Sequence, residues 1–206
     1  MNIFLSGMLL SLSLIVAIGP QNAHVLRMGL LRSHVGITVV ACAITDALLI
    51  AIGVFGLAKL GDLSPQINAA LVGAAILFLM NYGWQAAKRA RLPAVQGLQA
   101  AQKEAPRNKG AALSSALAFS WLNPHAWIDT AVIIGTASLA YSAPSNLMFG
   151  FGAAVGSALW FVTLGLGAAA MAQKLSHPFV WRAIDVLVVI TMWGTAAWLA
   201  WGLLKT

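Results

Sequence analysis

Charge is what this sequence has least of. Of its 206 residues only 8% are Asp, Glu, Lys or Arg, and just five carry a carboxylate, while 60% are apolar. A soluble globular domain has about a quarter of its residues charged, so the composition excludes that class and leaves an integral membrane protein. Long polar stretches are missing too, so no loop can fold separately, and 1–206 is expected to be a single domain. Cys42 is the only cysteine, which excludes an intrachain disulfide and a cysteine-based zinc site. The first 26 residues contain no Lys or Arg, whereas a cleaved signal peptide wants a positive n-region; they are expected to stay as a membrane span. No P-loop, nucleophile elbow or HExxH sequence is present, and His24 and His34 lie near span ends with too few partners for a metal. No enzyme, catalytic residue, metal site or cofactor is expected. The net charge of +7 would suggest nucleic acid in a soluble protein. Here the cations flank apolar spans and no aromatic and basic interleaving accompanies them, so no nucleic-acid partner is expected.

What the chain does have is six apolar stretches, each near the roughly 20 residues that a bilayer core requires. They run from about 3–25, 35–58, 66–87, 111–140, 147–172 and 183–204. The expected fold is therefore all-α, with about six transmembrane helices and membrane lipid around them. A basic linker, 88–110, divides the chain into halves 1–87 and 111–206. If that linker is cytoplasmic, ten cations lie on its side and only Lys59 and Lys205 on the other, as the preference of Lys and Arg for the cytoplasmic face requires. Both termini then lie outside; a five-span arrangement with one re-entrant segment would move the N-terminus inside. Three spans per half enter the membrane in opposite senses, giving two inverted three-helix repeats, an arrangement common among secondary transporters.

Each half interrupts its first apolar run. Gly19-Pro20 is followed by Gln21 and Asn22, and Asn123-Pro124 by His125 and Asp129. Broken spans survive where the freed backbone faces protein or a wet cavity, and a pair of them points to a transport site. Asp46 lies near the centre of the second span, on a face with Thr38, Cys42, Thr45, Gly53 and Gly56, and Asp129 lies in the middle of the fourth, one turn beyond His125. A carboxylate inside a membrane is costly enough to suggest a cation or proton site; the plainer reading is a hydrogen bond between packed helices. Gln21, Asn22 and Asn123 either bind a solute or cap freed helix ends, and His125 either shuttles protons or packs as a donor. Asp185, near the start of its span, is read either as a weaker cation or proton site or as half of an ion pair at the membrane surface with Arg182, one turn away. Trp181, Trp198 and Trp201 are expected as interfacial anchors. Gly152 and Gly156 form a small-xxx-small face that suits either a homodimer or packing within the chain.

The segment from Ala17 to Gly29, which contains Gly19-Pro20-Gln21-Asn22, together with Arg32, Asp46 and Asn123-Pro124-His125-Ala126-Trp127-Ile128-Asp129-Thr130, resembles the LysE family of bacterial amino acid exporters. Within it, the lysine and arginine exporter branch is nearest, since the related threonine and homoserine exporters carry a PGP-type first motif. The likeness covers the whole chain. It departs at Trp127, where Tyr is more common, and at Met28, where Gln is more typical. The resemblance implies export of lysine, arginine or an analogue from the cytoplasm across the bacterial inner membrane, driven by proton-motive force. Proton antiport with Asp46 and Asp129 alternately holding substrate cation and proton is the expected coupling. Export of a neutral amino acid or a metal cation by the same fold, and a non-transporting scaffold subunit, are the alternatives.

Overall fold

Every regular element in the computed structural model is helical among the described residues, which are 2–16, 19–56, 65–93, 96, 99, 102–123, 126–174 and 178–203. The chain runs through α1 (Ile3–Ile15), α2 (Pro20–Leu30), α3 (Val35–Gly56), α4 (Pro65–Arg91) and α5 (Lys109–Trp121). It continues through a π-helix (Trp127–Ile134), the single turn α6 (Gly135–Ser138), α7 (Ser145–Met171) and α8 (Pro178–Leu203). Among the described residues, α3, α7 and α8 are long and apolar enough to cross a membrane. The bent pair α1 and α2, turned by 81° at its break, adds a fourth such segment if taken as one span. This is a multi-pass membrane protein. Large apolar side chains such as Phe55, Leu77, Phe151 and Phe179 face outward, as a lipid solvent allows.

Both expected breaks appear where a local cause exists. Helix α1 starts under an Asn2 cap, whose side chain accepts from the Phe4 N–H at 3.1 Å, and it ends at Ile15. Gly19 then adopts extended geometry (φ −95°, ψ −176°) and Pro20 opens α2, where its missing N–H costs nothing and its fixed φ already suits a helix. Helix α5 ends at Trp121 and helical structure is present again at Ala126; Pro124 and His125 lie outside the described residues. The second segment restarts as a π-helix, a rare geometry that often marks functional sites.

The short helix α2 is the hub. All of its residues but Leu26 are buried, including Gln21, Asn22, His24 and Arg27. It packs on α7, with α3, α5 and α8 beside it. Close backbone approach needs small residues where α1 crosses α7 and where α3 crosses the π-helix. A Cβ on Gly7 or Gly152 would collide with the backbone of Phe149 or Phe4, and one on Gly53 with the backbone of Ala131 in the π-helix. The Gly152/Gly156 face is therefore covered by α1 of the same chain, Gly156 meeting Met8, and is not open to a second copy. Substituting Gly152→Leu is expected to force α1 off α7 at a cost of about 1–3 kcal/mol or more. The thermal transition of the purified protein should drop by several degrees, while Gly167→Ala, with open space around it, should leave it in place.

Trp198 and Trp201 are exposed as membrane-interface anchors would be, but Trp181 is buried at 4% exposure in a core with Ile184, Val188 and Leu79. The correction follows from the start of α8 at Pro178, five residues earlier than the apolar run suggests. Trp181 then lies inside the helix, within the core that α8 forms with α2, α4 and α5.

Candidate functional site

The two breaks meet in one cavity of about 290 Å³, near the lower end of the range of about 300–1,000 Å³ for small-molecule pockets. It is bounded by the ends of α1 and α2, by Asp46 of α3, by Asn123 and the π-helix, and by one face of α8. Of the residues expected to form a site, Gln21, Asn22, Asp46, Asn123 and Asp129 line it, with Gly19 at its wall. His125 and Pro124 fall outside the described residues.

Asp46 is only 1% exposed and each of its oxygens accepts a hydrogen bond. Gln21 Nε2 donates to Oδ1 at 3.1 Å, and Ser157 Oγ donates to Oδ2 at 2.7 Å. Gln21 also donates to Ser120 Oγ at 3.1 Å, and the Ser120 hydroxyl donates to the Ala116 carbonyl at 2.9 Å with Cys42 Sγ 3.8 Å away. Four helices are thus tied to one carboxylate, and Asp46 is held in place rather than left to swing. Asp129 is half-buried, on the π-helix, and near enough to feel the charge of Asp46. Two carboxylates on one small cavity repel each other, and a cation or proton between them relieves that repulsion.

The amides divide their duties. Asn22 donates from Nδ2 to the carbonyl of Ile15, freed where α1 stops, and accepts from Trp160 Nε1 at 3.2 Å. At the second break Trp127 Nε1 donates at 3.0 Å to the carbonyl of Trp121, freed where α5 stops. One polar group therefore stitches each break. The N-terminus of α2, where no side-chain cap forms, opens beside Gly19 on the cavity wall; the positive helix end favours an anion there.

Several contributors carry weak sequence signals. Ser157 is hidden in the small-residue stripe of α7, and Ser120 immediately precedes the second break. Thr191 and Thr195 face the cavity from α8 at i, i+4 spacing. Their hydroxyls donate to carbonyls of their own helix, at 2.8–3.1 Å, which leaves oxygen lone pairs toward the cavity. Asp185 differs from expectation. It is 4% exposed and pairs with Arg89 of α4, both Arg89 Nε and Nη2 lying 2.9 Å from Oδ1. Because α8 begins at Pro178, Asp185 lies two turns inside it and faces α4 rather than the surface. Asn81 and Gln85 of α4 bond to each other at 3.2 Å on an exposed face.

The family model described as LysE type translocator matches residues 12–202 of this chain. The arginine exporter protein ArgO of Pectobacterium carotovorum subsp. carotovorum is 33% identical over 198 residues, covering 96% of each chain. A putative amino-acid transporter, YggA of Aeromonas salmonicida, is 38% identical over 202 residues, covering 97% of this chain and 96% of its own. The lysine exporter LysE of Corynebacterium efficiens is 31% identical over 221 residues, covering 95% of this chain and 97% of its own. No solved structure matches the chain.

Proposed function

The chain belongs to the LysE family of translocators, and from that premise we propose that it exports basic amino acids, arginine and lysine, from the bacterial cytoplasm across the inner membrane by proton antiport. It is a transporter and not an enzyme. The observation that carries the substrate class is the placement of Asp46 and Asp129 on one cavity together with the uncapped N-terminus of α2. A basic amino acid has one carboxylate and two cations. The helix end suits the first and the two aspartates suit the others. The names of the arginine and lysine exporters among its relatives point the same way.

Energetics favour coupling to protons. Moving one net positive charge outward against about 100 mV costs roughly 2.3 kcal/mol, so uncoupled movement would accumulate the substrate inside. Entry of one proton per substrate makes the exchange electroneutral and leaves the pH and substrate gradients to drive it. The half-buried Asp129 is the group best placed to exchange substrate cation for proton; Asp46 fixes the opposite wall.

The proposed architecture is six spans in two inverted repeats, with the basic linker in the cytoplasm. Two features of the packing support it. Helix α3 packs on α7 and α4 on α8, each on its counterpart in the other half, while α1 and α2 pack on α7 as α5 and the π-helix pack on α3. That crosswise exchange is what a two-fold relation between halves requires. Arg27 and Arg89, far apart in sequence, also share one linker carboxylate, as cations on the same membrane side can.

The test is efflux of labelled arginine from vesicles loaded on the linker side. Export is expected to respond to an imposed pH gradient, and to be competed by lysine but not by threonine or divalent metals. Efflux indifferent to both pH gradient and potential would sink the antiport reading, and competition by threonine or a metal would reassign the substrate.

A further inference from the structure

The charged groups that the cavity leaves unused gather at the other end of α2. Six residues beyond Gln21, about 9 Å along a helix, Arg27 donates to the Tyr82 hydroxyl at 3.0 Å and to Glu104 Oε2 at 3.3 Å. Arg89 bonds the same Glu104 oxygen and also holds Asp185. Both arginines are 3% exposed, whereas the Glu104 side chain is 41% exposed. Two cations and two carboxylates balance, but the acids are not equivalent. Asp185 is fixed inside α8. Glu104, the chain's only glutamate, comes from the linker and reaches the arginines from solvent.

An aromatic layer separates this cluster from the cavity. His24, between Gln21 and Arg27 on α2, stacks on Phe119 at 4.4 Å, and the rings of Tyr82 and Phe78 meet Phe119 edge-on at 4.5 and 5.0 Å. Tyr82 belongs to both, its hydroxyl accepting from Arg27 and its ring packing on Phe119.

We propose that Arg27 and Arg89 form an entrance site for the carboxylate of an incoming amino acid, and that Glu104 occupies this site as a built-in carboxylate until the substrate displaces it. The proposal rests on the reading of the chain as an amino acid exporter loaded from the linker side. Paired guanidiniums are the side chains best shaped for a carboxylate. If Glu104 left alone, it would strand one unbalanced positive charge among buried groups, a costly state. A substrate carboxylate removes that cost, because one anion replaces another. The freed Glu104 then stands beside the ligand, able to pair with its ammonium or side-chain cation. Since the substrate binds the arginines only when Glu104 is away, it shifts the linker toward release. The shared Tyr82 carries that change to the aromatic layer above the cavity.

A glutamate-specific protease has one site in this chain, after Glu104, and must draw that carboxylate into its own pocket. Its cutting rate therefore counts the time Glu104 spends away from the arginines. On the purified full-length protein, saturating arginine is expected to speed the cut by about tenfold, a shift of about 1.4 kcal/mol in that equilibrium. Agmatine, which is arginine without its carboxylate, should leave the rate unchanged, with an unrelated peptide correcting for effects on the protease. Tyr82→Phe keeps the ring but removes an acceptor from Arg27, and should raise the ligand-free rate by about threefold. In efflux, Glu104→Gln should lower the half-saturating internal arginine concentration, because no built-in carboxylate then competes for the two arginines. Equal acceleration by arginine and agmatine, or none by any amino acid from a protein that exports arginine, overturns the entrance site and leaves the exporter reading standing. Acceleration by threonine but not arginine keeps the entrance site and overturns the basic-substrate reading. No acceleration and no export of any amino acid overturns both.

Discussion

Arginine efflux is expected to fall by about 100-fold or more in Asp129→Asn, with the protein still inserted and folded. Asparagine has nearly the same shape, so the substitution at this half-buried position on the π-helix removes the negative charge and the ability to carry a proton. Stranding a substrate cation in a desolvated site costs on the order of 3–5 kcal/mol, which corresponds to about two to three and a half powers of ten. Asp129→Glu should recover part of the activity, because the cavity gives the longer chain room. Asp46→Asn is expected to be as inactive for a different reason. At 1% exposure, both Asp46 oxygens accept, from Gln21 and Ser157. An asparagine there must turn an NH₂ toward one of those donors, so local packing is disturbed as well as charge, and Asp46→Glu should not rescue it. Efflux and thermal stability measured on the same preparations separate the two cases. Wild-type efflux in Asp129→Asn would remove this carboxylate from the transport site.

What could be read from the residue order was what is locally caused. Gly19-Pro20 and Asn123-Pro124 announce breaks because proline lacks an N–H and restricts the residue before it, and the structure breaks there. Asp46 and Asp129 stand out because a carboxylate in an apolar run has few inexpensive explanations, and both line the cavity. Partner choice could not be read. Asp185 and Arg182 are one turn apart, yet Asp185 pairs with Arg89, separated by 96 residues, because that contact depends on how α4 and α8 pack. Nor could the sequence divide the roles of two adjacent amides. Gln21 reaches Asp46, while Asn22 turns back to the carbonyl of Ile15, and the 100° step between neighbours on a helix decides this only once the surroundings are known. The π-helix leaves no pattern either, since its hydrogen bonds shift by one residue without any change in side-chain type.

The buried ion cluster yields the second large effect, on stability rather than transport. Removing Arg89 by Arg89→Met leaves Asp185 buried at 4% exposure without its guanidinium partner. Breaking one side of such a pair costs about 3–5 kcal/mol, a large share of the roughly 5–15 kcal/mol that keeps a protein folded. Removing both charges is a different perturbation. In Arg89→Met with Asp185→Leu, one cation and one anion leave together, Arg27 and Glu104 still balance each other, and apolar side chains fill the space between α4 and α8. Replacing a buried pair by packed apolar groups is often neutral or stabilising, so the double variant is expected to regain most of the stability lost in the single one. A double-mutant cycle on thermal stability then yields the coupling between the two residues directly. If Arg89→Met alone were as stable as the wild type, Asp185 would have to find another partner or be uncharged, and the cluster would contribute nothing to holding α4 against α8. If instead the double variant is stable but exports only at high internal arginine, the same arginine that joins the two helices also serves the incoming carboxylate. That result separates its two duties, because stability is restored by an apolar pair and substrate capture is not.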